Sequence, residues 1–216
     1  MEVTLIDKMG NDIRVTNAAR VSFKKFVDKE LPDERDEKLI KYLAEHNHFT
    51  PFTHCMITLH EKIPIFICRQ RFKHQIGFTY NEVSRRYVDD EPEYYEIQEW
   101  RKRAENKKQG SSDELIKTLL NGDNISKEVK KLNKRITKLY TRMIVAGVAP
   151  EQARTILPQS MYTEYYVTGS LYAFARAYNL RIDAHAQKEI QDLAVEWDKV
   201  ISPLFPVSWN LLTKLG

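Results

Sequence analysis

The sequence predicts a fold of the mixed α/β (α+β) class, on three observations. Residues 54–61 and Ser160 to Thr168 alternate apolar with polar side chains, the period of a half-buried strand. Asp36 to Asn47 and Ser126 to Ala146 instead repeat apolar residues at helical spacing. The chain is 216 residues long, with 42% hydrophobic and 30% charged residues, the balance of a globular protein able to bury a sizeable core. It is read as a single domain over residues 1–216, with a mobile excursion at 99–124.

In chain order, residues 2–6 alternate weakly and predict an edge strand. Asn17 to Ser22 is a short helical segment. A charged loop with Pro32 covers residues 24–37. The helix from Asp36 turns Leu39, Ile40 and Leu43 inward. Three histidines, His46, His48 and His54, surround Thr50-Pro51-Phe52. Their spacing matches no zinc pattern, so a polar loop is preferred and no metal is expected. In the strand at 54–61, Cys55, Ile57 and Leu59 face one way. In the long helix from Ser126, the inner face is Val129, Leu132, Ile136, Leu139, Tyr140 and Met143. Pro150 to Pro158 is a short proline-bounded helix. Its Arg154 is expected to be semi-buried beside Ala153 and Leu157, with an anion or a carbonyl as partner. Ser160 to Thr168 turns Met161, Thr163, Tyr165 and Val167 to one side, and Gly169 punctuates it. A helix with Leu171, Phe174, Ala175 and Tyr178 inward runs to about Arg181. A last helix opens at Ala184, with Ala186, Ile190, Leu193, Ala194 and Trp197 inward.

The net charge of +4 suits anionic small molecules and is too weak to argue for nucleic acid. No stretch approaches the roughly 20 apolar residues of a membrane span, and Met1–Gly10 lacks the apolar core of a signal peptide. Cys55 and Cys68 sit on apolar stripes and read as reduced core thiols of a cytoplasmic protein.

The most informative stretch is 65–87. Pro64 suits entry into a helix from Ile65 to Gln75, with Ile65, Cys68 and Phe72 on one stripe. Arg69, Gln70, Lys73 and His74 would share the other face. Past Gly77, Asn81-Glu82-Val83-Ser84-Arg85-Arg86-Tyr87 packs carboxylate, hydroxyl, amide and two guanidiniums into seven residues. Forked guanidiniums bind phosphates well. Pattern alone leaves a phosphate site and a solvated basic surface equally open.

Asn81-Glu82-x-Ser84-x-Arg86-Tyr87, after a helix carrying Arg69-Gln70 and a basic-His-polar triplet, resembles the signature of flavin-dependent thymidylate synthases. That family's pattern is Arg-His-Arg, seven residues, then Ser. Here it is Lys73-His74-Gln75, eight residues, then Ser84. Lys73 loses the guanidinium fork and Gln75 loses the charge. The extra residue is placed in the turn at Gly77, and Arg71 or Arg85 could offset the lost charge. Further blocks match around Ala19-Arg20-Val21-Ser22, His48 to His54, Glu151 to Pro158, and Leu180-Arg181 to Ile190.

The resemblance implies a mixed, largely antiparallel sheet flanked by long helices, assembled as a homotetramer with active sites between subunits. It implies reductive methylation of dUMP to dTMP, with FAD as cofactor, methylenetetrahydrofolate as one-carbon donor and NADPH as reductant. Gln70, Lys73, Glu82, Ser84, Arg85, Arg86, Arg154 and Arg181 fall at its dUMP positions. Arg181 stands where the family ionises the ring, so it carries the catalytic role. Ser22, His48, Thr50, Lys73, His74, Gln75 and Glu82 fall at FAD positions, and the helix opening at Ser170 adds Ser170, Tyr172 and Arg176, where relatives often carry Asn and Arg. The altered triplet leaves a sister flavoenzyme acting on another pyrimidine nucleotide, such as dCMP, as the alternative. A non-enzymatic nucleic-acid-binding protein is a third reading, disfavoured because the aromatics do not interleave with the basic residues.

Overall fold

A computed structural model describes residues 1–105 and 110–214. The chain divides into two compact units. Unit one is Met1–Glu61, Arg71–Asn81 and Tyr165–Gly216; unit two is Lys62–Gln70 and Glu82–Glu164. The predicted α/β class with antiparallel pairing is what forms. A four-stranded sheet has the order β1-β2-β6-β3, with β1 at Glu2–Met9, β2 at Met56–Pro64, β3 at Phe78–Glu82 and β6 at Tyr162–Ser170. The unit boundaries fall inside β2, β3 and β6. β1 is the edge strand the sequence predicts, extended to Met9.

In unit one the alternation along β2 buries Ile57 and Leu59, and that along β6 buries Tyr165 and Val167. Helix α6 (Leu171–Ile182) brings Phe174 into this core, and helix α7 (Lys188–Ile201) brings Trp197. Gly169 lies within β6 rather than ending it, and α7 starts four residues later than Ala184. It is also not the last helix. Helix α8 (Ser208–Lys214) follows and buries Trp209. Buried Asp12, which opens helix α1 (Asp12–Arg20), accepts the Val207 and Ser208 amides at 3.0 Å each and so ties that C-terminal element down.

Helix α2 (Glu34–Glu45) begins with a reciprocal cap. Asp33 accepts the Arg35 and Asp36 amides, and Asp36 accepts the Asp33 amide. The Asp36 carboxylate is buried and pairs with Lys29 and, at 2.6 Å, with Arg20. Burial opposes its ionisation, but Lys29, the Asp33 amide and Arg20 outweigh it and hold the carboxyl below its usual range.

In unit two helix α4 (Ile125–Val145) buries Tyr140 and Asn133, while Leu132 and Leu139 stand 53% and 48% exposed. The predicted inner face holds for buried Tyr140 and half-buried Val129, Ile136 and Met143, but Leu132 and Leu139 are on the outside of this chain. Helix α3 covers Ile65–Arg71 only, so Lys73 and His74 do not share a helical face with Arg69 and Gln70. Residues 99–124 hold a two-stranded antiparallel ribbon, β4 (Arg101–Arg103) with β5 (Ser111–Leu115). Residues 106–109 of that excursion lie outside the described residues. Among the described residues no helix is long and apolar enough to cross a membrane.

Candidate active site

Where β3 ends, the chain from Glu82 to Arg86 lines a cleft of ≈ 470 Å³ in unit two. Glu82, Ser84, Arg85, Arg86 and Arg154 all line it, with Thr163 and Met161 from β6 and its approach at the base. Each side chain has a local reason for its pose. Thr163, inward on β6, donates its hydroxyl proton to Glu82 Oε1 at 2.6 Å. Ser84 Oγ accepts Arg86 Nε–H at 3.1 Å. Arg85 is drawn to the Asp90 carbonyl at 2.6 Å and the Asp90 carboxylate at 3.0 Å. Arg154 sits where helix α5 (Pro150–Ala153) tightens into a 3-10 turn, and its Nε donates to the Glu151 carbonyl at 3.3 Å. It is exposed rather than semi-buried, because the short helix turns Ala153, not Arg154, inward. Two guanidiniums on one rim make the cleft anion-receptive. Gln70, on α3, lies outside its lining.

In unit one the turn after α3 carries the variant triplet. Lys73 and Gln75 are exposed and His74 is half-buried. Arg181, in the last turn of α6, donates Nε–H to His74 Nε2 at 2.8 Å. His74 must therefore be the neutral Nδ1–H tautomer there. Burial, then the cations Arg181, Arg71 and Arg176, push its pKa down to about 4. Arg181 is itself held below its usual range by burial and by Arg71. A half-buried guanidinium in positive surroundings gains most from an anionic guest.

The turn closes at Gly77, whose φ is +82° and where an added Cβ would lie 2.9 Å from Ala173 Cβ on α6. Gly77→Ala is expected to destabilise by about 1–3 kcal/mol, seen as a melting temperature several degrees lower. An unchanged melt would show that the turn has another geometry.

A second cleft in unit one, ≈ 570 Å³, is lined by Ser22, His48 and Thr50 together with Arg20, Tyr42 and Phe49. A smaller cavity beside Phe49 and Asn47 adds Tyr172 and Arg176. Phe49 and Tyr172 stack at 5.3 Å. Ser170 is 7% exposed, and its hydroxyl accepts the Ala173 amide as the cap of α6. Lys73, His74 and Gln75 line neither cavity, and Glu82 belongs to the cleft of unit two. Flat aromatic walls with a few hydroxyl and imidazole groups are what a planar ring system needs, so these residues fit a flavin. Sequence reasoning missed Arg20, Tyr42, Asn47 and Phe49. The Ala-Arg-Val-Ser block and the Phe49-Thr50-Pro51 run were their only signals.

Cys55 and Cys68 are both buried. Burial pushes the Cys55 thiol up to about 12, which keeps it protonated and unreactive at neutral pH. Among the described residues no group of three or more His, Cys, Asp and Glu side chains is arranged to hold a metal ion.

Residues 4–207 match the sequence model of the thymidylate synthase complementing protein family. The chain belongs to the flavin-dependent thymidylate synthase family. It is an enzyme of the methyl-transferring kind. The family member from Thermosipho africanus (strain TCF52B) is 38% identical over 218 residues, covering 98% of this chain and 90% of that one. The member from Kosmotoga olearia (strain ATCC BAA-1733 / DSM 21960 / TBF 19.5.1) is 37% identical over 212 residues, covering 96% and 88%. A solved UMP/dUMP methylase, PolB from Streptomyces cacaoi bound with 5-Br dUMP, matches with a TM-score of 0.81 at 28% identity, over 99% of this chain and 94% of that one. Membership in the flavin-dependent thymidylate synthase family accounts for the mixed sheet.

Proposed function

We propose that the protein carries out FAD-dependent reductive methylation of dUMP to dTMP, with methylenetetrahydrofolate as carbon source and NADPH as reductant. One observation carries the reading: Arg154, far along the chain from the Glu82–Arg86 run, lines one cleft with Glu82, Ser84, Arg85 and Arg86. In this scheme Arg86 and Arg154 hold the phosphate dianion, and Glu82, oriented by Thr163, accepts from the nucleotide. Gln70, Lys73, Ser84 and Arg85 complete nucleotide recognition. Arg181 opposes the negative charge that grows on the uracil ring as its carbon becomes nucleophilic. Ser22, His48, Thr50, Tyr172 and Arg176 hold FAD, with Lys73, His74, Gln75, Glu82 and Ser170 as neighbouring contributors. Bound FAD supplies the redox capacity that NADPH feeds and that reduction of the transferred carbon consumes. No cysteine nucleophile is required, in keeping with the buried thiol of Cys55.

The assembly we propose is a homotetramer in the cytoplasm, with residues of neighbouring protomers completing each site. The exposed Leu132 and Leu139 of α4 are apolar surface that a neighbouring protomer would cover.

The purified protein is expected to bind FAD and show its yellow absorbance, to bleach with NADPH, and to release tritium from C5-labelled dUMP when methylenetetrahydrofolate is added. Protein that stays colourless with added FAD would sink the proposal. The second reading, a different pyrimidine nucleotide, is favoured by the Lys73-His74-Gln75 triplet and by the neighbour described as a UMP/dUMP methylase. Faster tritium release from UMP or dCMP than from dUMP would select it.

A further inference from the structure

We infer that the buried pair Glu61 and Arg71 is a positioning unit that fixes His74 and, through it, Arg181. The inference rests on the proposed role of Arg181. Glu61 on β2 and Arg71 at the end of α3 are both fully buried. Arg71 donates Nε–H to Glu61 Oε2 at 3.2 Å and Nη2–H to Oε1 at 3.2 Å. Trp197 Nε1–H donates to Oε1 at 3.0 Å, and the Tyr165 hydroxyl donates to Oε2. The guanidinium lies among the rings of Phe78 (4.5 Å), Trp197 (4.6 Å), Tyr80 (5.3 Å) and Phe174 (5.5 Å). Such a pair is a poor source of stability. Desolvating each charge costs several kcal/mol, and matched apolar residues often do as well. What the pair supplies instead is direction.

The direction runs outward in three links. Arg71 Nη1 donates to the Tyr80 hydroxyl at 2.8 Å. That hydroxyl donates to the His74 carbonyl at 2.6 Å. His74 Nε2 accepts Arg181 Nε–H at 2.8 Å. Because a guanidinium is planar, fixing its Nε edge fixes the plane in which its two terminal nitrogens point. The charged groups acting on His74 are Arg71 from α3 and Arg176 and Arg181 from α6, all cations. Burial and then these cations keep the imidazole neutral, which is the state that can accept from Arg181. Arg71 thus acts twice: through Tyr80 on the backbone of residue 74, and through its charge on the ring. Glu61 and Arg71 reach no substrate in this scheme and are positioning residues.

The test uses the full-length protein loaded with FAD and labelled with 15N-histidine, the His74 signals being identified from His74→Gln. In the wild type, His74 is expected to show the Nδ1–H tautomer and no titration between about pH 5.5 and 8. In the double variant Glu61→Met/Arg71→Met, chosen to keep volume without stranding a charge, the titration midpoint should rise from about 4 and the tautomers should mix. Tritium release from dUMP should fall about tenfold in kcat, with KM changed by less than about threefold. Should the double variant fail to fold, Tyr80→Phe cuts the middle link and leaves the ion pair in place. Its expected signature is mixed tautomers at His74 and the same loss in kcat. Unaltered His74 signals in a folded double variant, or in Tyr80→Phe, would overturn the inference. Shifted His74 signals in a protein inactive on dUMP would retain the positioning unit and reject the proposed function.

Discussion

Arg181→Ala is expected to leave dUMP binding measurable and to lower kcat by about a hundredfold to a thousandfold. That is the usual loss when a preorganised donor to a developing charge is removed. The ground-state nucleotide has its phosphate, which in the proposed scheme Arg86 and Arg154 grip without Arg181. Negative charge on the ring appears only on the way to the transition state. An interaction realised there acts on kcat more than on KM. The surroundings sharpen the effect, because burial and Arg71 already disfavour charge on Arg181. Equilibrium dialysis with dUMP, set beside tritium release at saturation, separates binding from turnover. Turnover that survives intact would remove Arg181 from the chemistry.

Arg71→Ala is expected to be among the most destabilising single substitutions in unit one, at about 3–5 kcal/mol. It leaves the Glu61 carboxylate without its guanidinium, with the Tyr165 hydroxyl and the Trp197 indole still donating to it. It also opens a void between Phe78 and Trp197, which flank the guanidinium. For a chain of this size the melting temperature should drop by on the order of 10 °C. The double change to methionine should melt far closer to the wild type, because it removes both charges together. If the alanine variant melts no lower than the double one, the carboxylate is finding water or another cation, and the pair is less sealed than the packing shows.

Much of the frame is legible in the residues. Alternation marks β2 and β6 because each buries one face and half-exposes the other. The helices α2, α4 and α6 announce themselves by apolar repeats. What escapes is what periodicity does not encode. Arg101–Arg103 and Ser111–Leu115 pair into a ribbon without an apolar face, so nothing in their pattern marks a strand. Leu132 and Leu139 obey the helical repeat of α4 yet stay outside, since a repeat says which residues share a face and not which face the chain itself covers. For the candidate site, Glu82 to Arg86 and Arg154 are legible as motif residues, and they line one cleft. The Glu61–Arg71 pair is not legible. A strand, Pro64 and a helix separate the two residues, and neither period carries across that corner. In the sequence Arg71 stands as a cation that could offset the charge lost at Gln75, whereas in the structure it is fully buried against Glu61.

The Asp36 cap has a bearing on the cleft that holds Ser22, His48 and Thr50. Arg20 lines that cleft, but it and Lys29 are met by the carboxylates of Asp36 and Asp33, so the four charges cancel. To a negatively charged guest it offers hydrogen-bond donors on an electrically quiet wall, not an unopposed cation. Any long-range pull on a pyrophosphate must then originate with other side chains. A guest whose grip there owes more to shape and stacking than to charge should be held with little regard to ionic strength.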